Sequence, residues 1–173
     1  SSGIPGDAEL LDVSLHSKTT EEACMEAMNR VLPPALHVSR IRLVDDRFPK
    51  VSAALRQAEY RITLRGEDAL KIANKIPDFL AQNEIMALRK TKRAETMVNI
   101  RPMIHLLEAQ MDTEAKTAVL TARVSFVEAA TLKPDLLLSS LCTFSGVELP
   151  KCEIRRTCLL GERDGQSVPL IDL

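Results

Sequence analysis

An α+β fold follows from three features of the sequence. Some stretches alternate apolar and polar residues at a period of two, others repeat apolar residues at helical spacing, and Pro and Gly punctuate the boundaries between them. The first alternating stretch covers residues 8–16, where Leu11, Val13 and Leu15 alternate with Asp12, Ser14 and His16, and predicts a half-buried strand. A helix follows. Thr19 and Glu22 fit a capping box, and Cys24, Ala27, Met28 and Val31 form one apolar stripe until Pro33-Pro34 ends it. Next, Leu36 and Val38 alternate in one phase and Ile41 and Leu43 in the other, as at a bulge. This β-α-β unit, residues 1–50, reads as part of a lobe. The polar run Asp45-Asp46-Arg47-Phe48-Pro49-Lys50 closes it, with a short helix predicted after it over 51–57.

The second part, residues 51–173, is richer in elements. Tyr60, Ile62 and Leu64 alternate with charged and polar neighbours, after which Gly66, Glu67 and Asp68 open a helix carrying Leu70, Ala73 and Ile76. Pro77 predicts a kink or two short helices. A strand is expected over 84–90, and Thr96, Val98 and Ile100 suggest a second one paired with it through a turn at 91–94. Pro102 bars a plain continuation of that ladder. Residues 104–111 and 116–126 read as another hairpin around Asp112-Thr113-Glu114, with a helix over 102–110 as the rival. Pro134 and Asp135 start a helix with Leu136, Leu137, Leu138 and Leu141, and a closing strand covers 152–160 before a polar tail. With one hairpin set aside as an insertion, strands near 58–65, 84–90, 117–126 and 152–160 and helices near 67–81 and 134–143 follow the β-α-β-β-α-β order. The expectation is a ferredoxin-like lobe with an inserted β-hairpin, preceded by a partial ferredoxin-like lobe of β-α-β form.

Composition narrows the function classes. Hydrophobic residues at 45% and charged residues at 27% are those of a folding globular chain rather than a disordered one. No apolar run approaches the ~18 residues that span a bilayer, and Ser1-Ser2-Gly3-Ile4-Pro5-Gly6 does not resemble a signal peptide, so a cytoplasmic location without membrane contact is expected. A net charge of −1, from 23 basic and 24 acidic residues, leaves only local clusters to attract an anion. With aromatics at 3%, a surface of several base-stacking platforms is not expected. Cys24, Cys142, Cys152 and Cys158 have no C-x-x-C spacing and read as buried thiols.

The densest charge cluster is Arg89-Lys90-Thr91-Lys92-Arg93 at a predicted hairpin, with Arg101 close by and Arg155-Arg156 as an extension. A mobile cationic tip of this kind neutralises phosphates, and an exposed turn kept soluble by charge is the simpler alternative. His16, His37 and His105 lie far apart without further ligands at metal spacing. No nucleophile elbow, phosphate-cradling loop or dinucleotide fingerprint is present, so no catalytic, cofactor or metal residue is assigned.

Arg89-Lys90-Thr91-Lys92-Arg93, then Val98-Asn99-Ile100-Arg101-Pro102-Met103-Ile104, and finally Ile154-Arg155-Arg156-Thr157-Cys158-Leu159 together resemble the radical SAM-linked domain family of unknown function. Asn99 stands where that family usually has Asp. The family's upstream Ser-His-Leu-Asp motif has no counterpart here, which suggests an N-terminally incomplete chain. The resemblance implies an accessory, non-catalytic domain working with a radical SAM protein, in cis or in trans, and binding or presenting RNA. The iron-sulfur cluster would belong to the partner, because this chain lacks a C-x-x-x-C-x-x-C motif. The alternative is a module that docks a radical SAM partner through apolar surface without touching nucleic acid. The anion site expected on the first reading comprises Arg89, Lys90, Lys92, Arg93, Arg101, Arg155 and Arg156.

Overall fold

A computed structural model describes residues 3–173. The chain divides into two units, Leu10–Ala54 and a larger one made of the residues up to Glu9 together with Leu55–Leu173.

The smaller unit contains helix α1 (Glu21–Val31) and the short helix α2 (Val51–Ala54). Thr20 rather than Thr19 caps α1, its hydroxyl accepting from Ala23 N at 3.2 Å. The strands expected over 8–16 and 36–43 do not form: both segments lack ladder partners, so the predicted β-α-β lobe is corrected to a helix with extended flanks. The physical reason is visible in the backbone bonds, which go to side chains instead of a neighbouring strand. Asn29 brackets Val38 by accepting from its N at 2.7 Å and donating to its O at 2.9 Å, and Glu21 accepts from Leu43 N at 2.9 Å. Asp12 likewise accepts from Val51 N at 2.9 Å. Ala54 is the only apolar residue of this unit in the buried core, while Leu11 and Val31 are 78% and 80% exposed.

The larger unit opens with β1 (Gln57–Arg65), whose alternation puts Ala58, Tyr60, Ile62 and Leu64 into the core. Gly66, at φ 109°, makes the turn into α3 (Glu67–Leu80), and its N–H donates to Lys116 O at 2.8 Å. Helix α3 is continuous through Pro77, which rules out two short helices, one of the two expectations there. It buries Ala69, Ile72, Ala73, Ile76 and Phe79 on one face.

Strands β2 (Met86–Lys90) and β3 (Glu95–Asn99) follow and form a separate two-stranded ribbon. A single 3-10 turn at Arg101–Met103 then leads into β4 (Ile104–Asp112), which forms a hairpin with β5 (Thr117–Ser125). The rival helix over 102–110 is therefore absent. After α4 (Pro134–Ser145) come β6 (Lys151–Arg163) and β7 (Gln166–Pro169). The polar tail expected beyond Gly161 is instead this last hairpin and a 3-10 turn that buries Leu170.

The main sheet has the order β4-β5-β1-β6-β7, every neighbouring pair antiparallel. The segment 84–90, expected to be a strand of this sheet, lies in the ribbon. Its apolar residues flank a strand of only 5 residues whose neighbour β3 is the nearer partner in sequence, while β4, with 9 residues, matches the 9 of β5. The α+β class stands. The core lies on the sheet face carrying Tyr60, Ile62, Leu120 and Val124, with Ile72 and Phe79 of α3 and Leu137, Leu138 and Leu141 of α4.

Candidate interaction surface

Of the seven cations expected to share one anion site, five are engaged separately. Arg89 donates from Nη2 to Thr131 O, tying the ribbon to the segment ahead of α4. Arg101 donates from Nε to Leu80 O at 3.0 Å, joining the end of α3 to the start of β4. Lys90 pairs across the ribbon with Glu95 at 3.1 Å. Arg155 and Arg156 are adjacent on β6 and so face opposite sides of the sheet. The first pairs with Asp7 at 2.9 Å and Glu153 at 3.7 Å, and the second, only 7% exposed, pairs with Glu9. Of the seven, Lys92 and Arg93 at the ribbon tip are the two whose side chains make no ion pair or hydrogen bond among the described residues. A cation already paired with a carboxylate has part of its charge neutralised, so Lys90, Arg155 and Arg156 offer a phosphate less than an unpaired cation does.

What the ribbon does present is apolar. In the β2–β3 register Leu88 lies opposite Met97 and Met86 opposite Asn99, so these side chains share one face. Met86, Leu88 and Met97 are 51%, 41% and 56% exposed. Beside them lies a groove of about 440 Å³ lined by Phe79, Met86, Leu88, Leu136, Ser140, Thr143 and Phe144. Phe79 and Phe144 meet edge to face with ring centroids 5.5 Å apart. The hydroxyls on the helical wall are turned inward: Ser140 donates to Leu136 O at 2.8 Å and Thr143 to Ser139 O at 3.0 Å. Their donors are satisfied, so an apolar ligand seated there strands none of them.

The sequence contained part of this signal. Met86 and Leu88 alternate with Ala87 in both the sheet and the ribbon arrangement, and nothing in that pattern says that the outward set lacks cover. Phe144 lies three positions from Leu141 and seven from Leu137, so it continues the flank of the leucine stripe, and helical spacing alone gives no sign that this end of the stripe is uncovered.

The outer sheet face is polar and internally paired. Glu59 accepts from Arg123 Nε at 2.7 Å and from Thr157 Oγ1 at 2.9 Å, and these residues are half-buried. His105 Nε2 lies 2.8 Å from Ser125 Oγ, and burial pushes its pKa below the usual histidine value. A Ser and His at this distance form the first link of a nucleophilic constellation, but His105 has no carboxylate bond among the described residues to orient it. Burial raises the pKa values of Cys142, Cys152 and Cys158, which disfavours the thiolate each would need as a nucleophile. Cys152 is exposed, and Cys24 and Cys158 are partly so, which corrects the reading of four buried thiols. Among the described residues no group of three or more His, Cys, Asp or Glu side chains could hold a metal ion, and no helix is long and apolar enough to cross a membrane.

No curated protein matches the sequence. A family model described as "Uncharacterized protein conserved in bacteria (DUF2344)" matches residues 1–134, from the N-terminal segment through both strands of the ribbon to the first residue of α4, and the chain belongs to that family.

Proposed function

We propose that this chain is a non-catalytic interaction module that docks a protein partner in the groove between the β2–β3 ribbon and α4. The observation that carries the reading is the uncovered apolar face of Met86, Leu88 and Met97 next to a groove floored by Phe79 and Phe144. Apolar side chains grouped on a two-stranded ribbon gain ~25 cal/mol for each Å² a partner covers. Lys92 and Arg93 at the ribbon tip add the electrostatic half, so the fitting partner segment is apolar with acidic residues at one end. A radical SAM protein, in cis or in trans, is the partner that the resemblance of the Arg89–Arg93 and Val98–Ile104 motifs implies. The order β4-β5-β1-β6, with α3 and α4 in the two crossovers, supports a ferredoxin-like platform in which β4 is the second sheet strand and the ribbon is the inserted hairpin.

A binding titration of the purified radical SAM partner tests this reading. Replacing Leu88 and Met97 together by Asp is expected to weaken binding at least tenfold, while unchanged binding overturns it. A second reading, contact with RNA, rests on Lys92 and Arg93 alone. It predicts salt-sensitive binding of structured RNA that the Lys92→Ala, Arg93→Ala variant loses and the Leu88, Met97 variant keeps.

A further inference from the structure

We propose that the edge of β6 at Arg155 and Arg156 is a docking site for an acidic extended segment of a partner protein, and that the chain's own residues 5–9 fill it in cis. On one side β6 is paired with β1 from Lys151 to Leu160, whereas on the other β7 covers only Leu160–Arg163. An edge left open in this way presents unpaired backbone donors and acceptors to any extended segment that arrives.

Residues 5–9 show what the edge accepts. Arg156 N donates to Pro5 O and Asp7 N donates to Arg156 O, each at 2.9 Å, which makes a parallel bridge between Gly6 and Arg156. The two carboxylates then straddle the strand. Asp7 takes Arg155 on one face at 2.9 Å, and Glu9 takes Nη2 of Arg156 on the other. Arg156 is a built receptor: it is 7% exposed, with its guanidinium carbon 5.8 Å from the centroid of the Phe126 ring and Tyr60 beside it.

Two features mark the chain's own segment as an imperfect occupant. Nε of Arg156 is buried without a partner, although it shares with Nη2 the edge of the guanidinium that a carboxylate grips with both oxygens. The hold is also short, because the segment makes a single bridge and its residues are otherwise largely exposed. Glu9 reaches Arg156 by folding back over Gly6, where an added Cβ would stand 2.1 Å from Glu9 Oε1. A partner segment approaching from outside needs no such fold. It can set a carboxylate squarely on Nε and Nη2 while keeping the backbone bridge and the Asp7-like contact to Arg155.

The test uses a labelled peptide with the sequence of residues 3–10 as probe, titrated in trans by fluorescence anisotropy. The Asp7→Asn, Glu9→Gln chain, whose own segment is disarmed, is expected to bind the peptide at least tenfold more tightly than the unaltered chain. The same peptide with both acids replaced by amides is expected not to bind. Gly6→Ala displaces the Glu9 carboxylate without changing charge, so it is expected to raise peptide binding in the same direction, by less, if the double variant folds poorly. Equal binding to all chains, no binding to either variant, or dimers formed by exchange of this segment without peptide binding each overturns the proposal.

Discussion

Asn99 receives the backbone N–H of Ile85 on its side-chain oxygen at 3.0 Å, and the same oxygen accepts from Arg101 N at 3.1 Å. One acceptor therefore joins the entry of the ribbon to its exit, supported by the backbone bond from Ile100 N to Ile85 O at 2.8 Å. An Asp at this position would present the same oxygen. Asn99→Asp is therefore expected to leave the melting temperature nearly unchanged. Asn99→Ala strands two partly buried donors and is expected to cost ~1–3 kcal/mol in chemical denaturation.

Two apolar residues that line the groove are expected to respond in opposite ways. Phe79 is fully buried against Phe144 and the helix core, so Phe79→Ala is expected to lower stability by about 3–5 kcal/mol. Leu88 is 41% exposed, and Leu88→Asp is expected to shift stability by less than ~1 kcal/mol while removing partner binding. Equilibrium unfolding of both variants separates a docking residue from a core residue, and equal losses would contradict the groove assignment.

Arg89 holds the ribbon to Thr131, whose hydroxyl is itself bonded to Val127 O at 2.6 Å. Removing that link leaves the β2–β3 ladder intact and loosens its attachment to the segment before α4. Arg89→Ala is expected to speed amide hydrogen exchange in β2 and β3 by tenfold or more with little change in β1 and β5. Uniform acceleration across the sheet would instead mean a global loss of stability.

The sequence made these elements legible to very different degrees. Strand β1 and helix α3 were readable because each buries one face against the same core, so periodicity and burial agree. Residues 8–16 alternate just as cleanly, yet form no ladder, since alternation reports a face that could be buried and says nothing about an available neighbour. The cation cluster was visible as composition, but its acids were not: Glu9 and Asp7 meet Arg156 and Arg155 from nearly 150 positions away. Lys92 and Arg93 stand at the ribbon tip because the turn that displays them is local, with Thr91 Oγ1 accepting from Ala94 N at 3.1 Å.

His105 supplies a prediction about acid. Burial lowers its pKa in the folded chain below the ordinary 6.5, so near and below that pH the unfolded chain takes up a proton more readily than the folded one. With more protons bound in the unfolded state, stability rises with pH. The contribution of a neutral His105 is thus complete above about 6.5 and declines as pH falls from there toward the folded-state value. Ser125, 2.8 Å from Nε2, fits this state because its hydroxyl can donate to an unprotonated ring nitrogen. His105→Gln is expected to flatten this part of the stability profile between pH 7 and pH 5, and the ring-proton NMR titration of His105 should have its midpoint below that of an unfolded reference peptide. A midpoint at or above the reference would reverse the sign and place a carboxylate, rather than burial, in control of the ring.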